Sequence, residues 1–205
     1  ATATITLLST DNTFDDLTIS AGTATLGSNV VVTNGLIISG GTLDMVAFTV
    51  SALTLTLNNA SSVLTGTSFT LTLTRDDGGD VITYTAGTFN VSSQTGATVA
   101  ITGSANINDP EDGNVAGSGI WMPTLSLAYP GKTVTLNNAS ATQKGVAVAK
   151  LQVNGGIFTS TSASIQFVYI ETPSVAWGSS PYVIGAVTNV TGMIQLFFDP
   201  QFGNS

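Results

Sequence analysis

Neither cysteine nor histidine occurs in this 205-residue chain, and the two absences remove most of the side-chain chemistry that enzymes use. No Ser-His-Asp or Cys-His nucleophile system can be assembled, and the ordinary zinc sites are excluded. Without cysteine there are no disulfides, so core packing and sheet hydrogen bonds must carry stability. Charge is scarce as well. The only cations are Arg75, Lys132, Lys144 and Lys150, set against twelve Asp and Glu, for a formal net charge of −8. Four cations cannot neutralise a phosphate backbone, which argues against nucleic acid as a partner. No apolar run approaches the ~18 residues of a membrane span, and no amphipathic helix of three turns is visible. So few titratable groups also predict a stability that changes little with pH.

What is present points to a folded, all-β chain. Hydrophobic residues make up 42% and charged residues 8%, so apolar content is high enough to escape the disordered class. Thr, Ser, Gly and Asn fill much of the remainder. The length suits one large β domain or two small ones. The first residue is Ala rather than Met, as expected of a secreted protein after signal removal.

Residues 1–10 read as a strand of their own. Ala1, Ala3, Ile5 and Leu7 fall on one face of an extended chain, and Thr2, Thr4 and Thr6 on the other. Asp11-Asn12 punctuates the chain just after it. A strand tied at one end can pair within its own sheet or complete the sheet edge of a neighbouring copy.

Residues 11–107 form a short-strand β region. Apolar triplets recur at Leu17-Thr18-Ile19, Ala24-Thr25-Leu26, Val30-Val31-Val32, Leu36-Ile37-Ile38, Phe48-Thr49-Val50 and Leu53-Thr54-Leu55. Leu17, Leu36 and Leu55 repeat at 19 residues, Val30 is matched to Phe48, and Leu26 to Leu43. Starts this close together suit coils of three short strands stacked as a β-solenoid. The same run also reads as a sandwich of hairpins, with Asn34-Gly35 as a type I′ turn. Phe69–Thr74 and Val81–Thr85 then read as a hairpin across the charged turn 75–80.

A polar stretch, Asn108 to Gly119, marks a candidate subdomain boundary. Beyond it, residues 108–205 form a β domain with longer, more apolar strands and most of the large aromatics, including Trp121, Trp177, Phe197 and Phe198. The more apolar core is expected there. The whole predicts an all-β, β-sandwich or jelly-roll-like subunit, with a solenoid-like run in the first half and a donated N-terminal strand.

Carboxylates are the remaining route to chemistry. Asp76, Asp77 and Asp80, or Asp109, Glu111 and Asp112, would be the acids of a polysaccharide-acting enzyme. Both clusters sit in turns, where solvated acids are ordinary, so no catalytic residue is assigned. Asn108, Asp112 and Gly113 partly fit a calcium loop, but Pro110 occupies a ligand position. No metal or cofactor is called for. The Asn-x-Ser/Thr acceptors at Asn59, Asn90, Asn138 and Asn189 are candidate glycosylation sites. Two lie in one repeated hexapeptide, Thr56–Ser61 and Thr135–Ser140, which puts Asn at the end of an apolar strand.

Residues 13–74, through Phe14–Ile19 and Ser39–Asp44, resemble the short-repeat segments of secreted microbial surface proteins. Taken with Ala1–Leu8 and the four acceptors, the chain resembles the secreted, N-glycosylated fibre subunits of archaea that assemble by donor-strand complementation. That resemblance implies a homopolymer at the cell surface, growing head to tail, with roles in adhesion or biofilm. Ala1, Ala3, Ile5 and Leu7 would then be the donated face. Two other classes stay open. One is a β-solenoid adhesin or phage-fibre domain binding surface glycans through Trp121, Trp177 or Tyr182; the other is a polysaccharide-acting β-helix enzyme.

Overall fold

A computed structural model describes residues 4–7, 12–90, 96–108, 120–127, 129–137, 145–153, 156–160, 166–170, 182–184, 189–191 and 194–198. Every described element is a strand, in the order β1 (Thr4–Leu7), β2 (Thr13–Phe14), β3 (Leu17–Ile19), β4 (Thr23–Leu26), β5 (Val30–Ile38), β6 (Thr42–Asp44), β7 (Thr49–Thr65), β8 (Thr70–Leu73), β9 (Asp80–Asn90) and β10 (Thr98–Ile101). They continue as β11 (Ala105–Asn108), β12 (Ile120–Leu127), β13 (Thr133–Asn137), β14 (Gly145–Val153), β15 (Ile157–Ser160), β16 (Gln166–Ile170), β17 (Tyr182–Ile184), β18 (Asn189–Thr191) and β19 (Ile194–Phe198).

All pairings among them are parallel, and they sort into three ladders. On the first face β1, β4, β6 and the end of β7 are followed by the end of β9, the start of β12, the start of β14, β16 and β19. On the second, β2, the starts of β5 and β7, β8 and β10 are followed by the ends of β12 and β14, and then β17. The third carries β3, the end of β5, the middle of β7, the start of β9, β11, β13, β15 and β18. The chain visits the faces in turn, so each circuit lays one coil on the last. This is a β-solenoid, about 40 Å along its stack at ~4.8 Å per coil. Long strands turn corners: β7 serves all three faces.

Register explains why these residues stack. Ile5, Ala24, Leu43, Leu64, Phe89, Ile120, Val146, Val168 and Leu196 stand in one rank along the first face. Val30, Val50, Leu71, Val99, Leu125, Leu151 and Tyr182 form a rank on the second. Leu17, Leu36, Leu55, Ile82, Ile107 and Leu136 do so on the third. Leu36, Leu43, Leu55, Leu64, Leu71, Val99 and Ile107 are fully buried. A circuit of one coil buries too little to be stable alone; stacked ranks make one continuous core.

Several expectations need correction. The jelly-roll-like sandwich is not what forms, because the stacked-coil arrangement runs through both halves. Ladders cross the polar stretch 108–119 without a break, β9 joining β12 and β11 joining β13. Asn34-Gly35 is not a type I′ turn: it lies inside β5, and neither residue has positive φ. β8 and β9 form no hairpin, since each pairs with coils on either side of it. Of the N-terminal strand, Thr4–Leu7 are described, and they pair with Thr23–Leu26 of the same chain, one of the two pairings open to it. Ala1, Ala3 and Trp177 lie outside the described residues.

Candidate functional site

The acidic turn Asp76–Asp80 sits at the corner between the second and third faces. Each carboxylate there is already engaged. Arg75 donates Nε to Asp77 Oδ1 at 2.6 Å and Nη2 to Oδ2 at 3.1 Å, while the Gly79 N–H donates to Oδ1 at 2.9 Å. The ion pair and the backbone donor hold the Asp77 carboxyl at about 2, below its ordinary 3.8. Lys132 Nζ donates to Asp76 Oδ2, and the Ser104 N–H donates to Oδ1 at 2.6 Å. These two bonds lower the Asp76 pKa as well. Asn108 Nδ2 donates to Asp80 Oδ2 at 3.2 Å.

A glycosidase needs one carboxyl kept protonated near neutrality by a raised pKa. Asp76 and Asp77 shift the opposite way; Ser104 and Lys132 make Asp76 a clasp across coils, while Arg75 and Gly79 hold Asp77 within its own turn. Ser104 completes the clasp, accepting the Gly78 N–H at its carbonyl and the Thr133 N–H at its Oγ. Sequence reasoning named the acids but missed Ser104 and Lys132 as their partners. A signal existed: Asp76, Ser104 and Lys132 are spaced 28 and 28 residues apart, the step from Thr70 to its partner Thr98. Among the described residues no three acidic side chains converge to hold a metal ion. Asp109, Glu111, Asp112 and Gly113 lie outside the described residues, as do Lys144 and Trp177.

The four acceptor asparagines land differently. Asn59 is exposed on β7, between the third and first faces, and its Oδ1 accepts the Ser61 N–H at 2.9 Å. Asn90 ends β9 opposite Trp121, and Asn189 begins β18 opposite Ile157. Asn138 lies outside the described residues. The two copies of the hexapeptide occupy the same face but not the same height in the coil. Leu136 aligns through Ile107 and Ile82 with Leu55, not with Leu57.

The outer surface carries a second pattern. Thr49, Thr70 and Thr98 stand in one rank, with Ser51 and Thr72 in the next, which continues through Ala100 and Ser126, both buried, to Gln152. On the first face Thr23 and Thr42 stack beside Thr25, Asp44 and Thr65. Threonine is stiff at χ1, so the hydroxyls repeat with the ladder, ~4.8 Å along the stack and ~6.6 Å along each strand. Corner threonines act otherwise and tie one coil to the last: Thr74 Oγ1 donates to Ala52 O at 3.2 Å and Thr102 Oγ1 to Leu73 O at 3.3 Å. Among the described residues these two faces thus carry hydroxylated ranks with little charge, Asp44 standing on the first face, while Asp15, Asp16, the turn Arg75 to Asp80 and Lys132 gather at the corner between the second and third faces.

Compared with known proteins, the chain matches no family model, no curated protein and no solved structure.

Proposed function

We propose that this chain is a structural subunit of an extracellular filament, a stiff β-solenoid that works through shape and surface and not through catalysis. The observation that supports it most is the unbroken run of parallel ladders from Thr4 to Phe198. A rod stacked in this way resists bending because every coil shares its backbone hydrogen bonds with two neighbours. The secreted location and the glycans belong to the same proposal. So does head-to-tail polymerisation by Ile5, Leu7 and the residues before them. Since Thr4–Leu7 already pair with β4 of their own chain, donation would be a strand swap, in which the same parallel register is taken up on the next copy. Removing residues 1–10 from the secreted protein tests this. Filaments seen by negative stain should disappear while the truncated chain stays folded; filaments that persist would show assembly by another surface.

The hydroxylated faces favour a second reading, an adhesin rod that lies along a neutral polysaccharide. An uncharged, periodic face suits a neutral, hydroxyl-rich chain better than an ionic ligand. Retention on insoluble polysaccharide, lost when Thr72→Lys places a charge in the rank beside Thr70, would favour this second function. Equal retention of both proteins would dispose of it.

A further inference from the structure

Asn followed by Gly is a chemical hazard in a long-lived protein. The Gly nitrogen, losing its proton, attacks the Asn side-chain carbon; ammonia leaves, and a succinimide ring forms between the two residues. Water then opens the ring to aspartate or isoaspartate, and the latter inserts an extra backbone carbon. In a solenoid that carbon would displace the register of one coil against its neighbours.

Asn34-Gly35 is such a pair, and Asn34 is exposed. It lies where β5 turns from the second face to the third, at a shift in register between Val32 and Gly35. The preceding coil grips this corner. Asn34 donates its N–H to the Asp15 carbonyl at 2.8 Å, and Thr33 Oγ1 donates to Asp15 Oδ1 at 3.1 Å. The Gly35 N–H donates to Asp16 Oδ1 at 2.9 Å. The attacking nitrogen is therefore held by a carboxylate, and on the other side Gly35 is paired with Thr54 of the next coil.

Glycine is itself required by the grip. A Cβ at Gly35 would lie 3.1 Å from Asp16 Oδ1, tighter than an ordinary contact. Any other residue would slow the ring closure, and its Cβ would make the carboxylate give by a few tenths of an ångström. We propose that Asp16 guards the Asn34-Gly35 bond against deamidation, so that this corner is a modification site opened only when the first coils come apart. The carboxylate both occupies the Gly35 N–H and fixes the torsion that attack would have to change.

The test follows Asn34 deamidation in the full chain by peptide mass spectrometry, in mildly alkaline buffer, folded and in urea. The folded protein should deamidate at Asn34 about tenfold or more slowly than the unfolded chain, as expected for loss of one hydrogen bond to a charged acceptor. Asp16→Ala, confirmed as folded by circular dichroism, should lose most of that protection, and Asp16→Asn, which keeps an acceptor oxygen, should retain it. A folded Asp16→Ala as slow as the parent overturns the proposal, as does a parent that deamidates equally fast folded and unfolded. Should Asp16→Ala not fold, hydrogen exchange at the Gly35 amide of the parent decides. Slow exchange supports the guard, and exchange at the free-amide rate refutes it.

Discussion

The coils before residue 66 and those after it keep the same three ladders but are built to different lengths. Thr4, Thr23 and Thr42 step by 19 residues and Val63 follows 21 later. Beyond that the steps vary, from 22 between Val146 and Val168 through 28 between Thr70 and Thr98 to 32 between Ile157 and Asn189. The described strands gain little from the added residues: β4 and β15 have four residues each, and β16 and β19 five. A parallel ladder fixes the spacing of what it pairs and is indifferent to the length of the connection, whose entropic cost grows only slowly. Tight coils therefore have no slack, and long coils have a good deal.

That difference can be broken at several points. The largest effect should come from deleting one residue, Ile37, inside β5. Ile38, the last residue of that strand and fully buried between Ile19 and Leu57, would turn to the opposite face, and the cooperative melting transition should vanish. Excising residues 110–117 instead should leave the far-ultraviolet spectrum and the melt nearly unchanged, because the excision falls between β11, which ends at Asn108, and β12, which begins at Ile120. Next in size, Leu55→Ala removes a fully buried side chain in the middle of a rank and should cost about 2–5 kcal/mol by denaturant unfolding.

A smaller loss is expected of Gly87→Ala. Gly87 holds φ at 119°, and a Cβ there would meet the Ser62 carbonyl oxygen at 2.7 Å. Strain of this kind costs about 1–3 kcal/mol, and a lowered melting temperature with an unaltered spectrum would register it. The smallest effect belongs to the exposed clasp. Asp76 and Asp77 have pKa values lowered by folding, so the stability they add is full above the unfolded value near 3.8 and is lost as pH falls through the folded one, about 2 for Asp77. The melting temperature should stay flat from neutrality to about pH 4 and decline only below that. With Lys132→Ala the decline should shrink slightly, by an amount that salt also removes.

Much of this architecture is legible in the residues, and the failures share one cause. Leu17, Leu36 and Leu55 at a spacing of 19 do stand in one rank. The apolar pattern matches Leu26 to Leu43, but Leu43 pairs with Ala24; it matches Phe48 to Val30, which pairs with Val50. In each case the error is two residues. Positions two apart share a face of a strand, so an apolar pattern finds the inward face without saying which inward residue meets which. The same degeneracy makes β8 and β9 look like a hairpin, since alternation is identical whether the next strand returns beside the first or turns a corner. The longer steps after residue 66 hide the repeat from the apolar pattern. At the acidic corner residue types identify the acids, but only the 28-residue step could have disclosed Ser104 and Lys132.

Because the chain contains no cysteine, register can be tested by crosslinking in the second half, where the steps between coils vary most. Thr135 of β13 is paired with Thr159 of β15, and neighbouring parallel strands bring Cα atoms within the range a disulfide spans. The double variant Thr135→Cys/Thr159→Cys should oxidise rapidly to one intramolecular bridge, while Thr135→Cys/Phe158→Cys, one residue out of register, should stay reduced. Bridging of the second pair in place of the first, or of neither in folded protein, would contradict a solenoid that continues past residue 108.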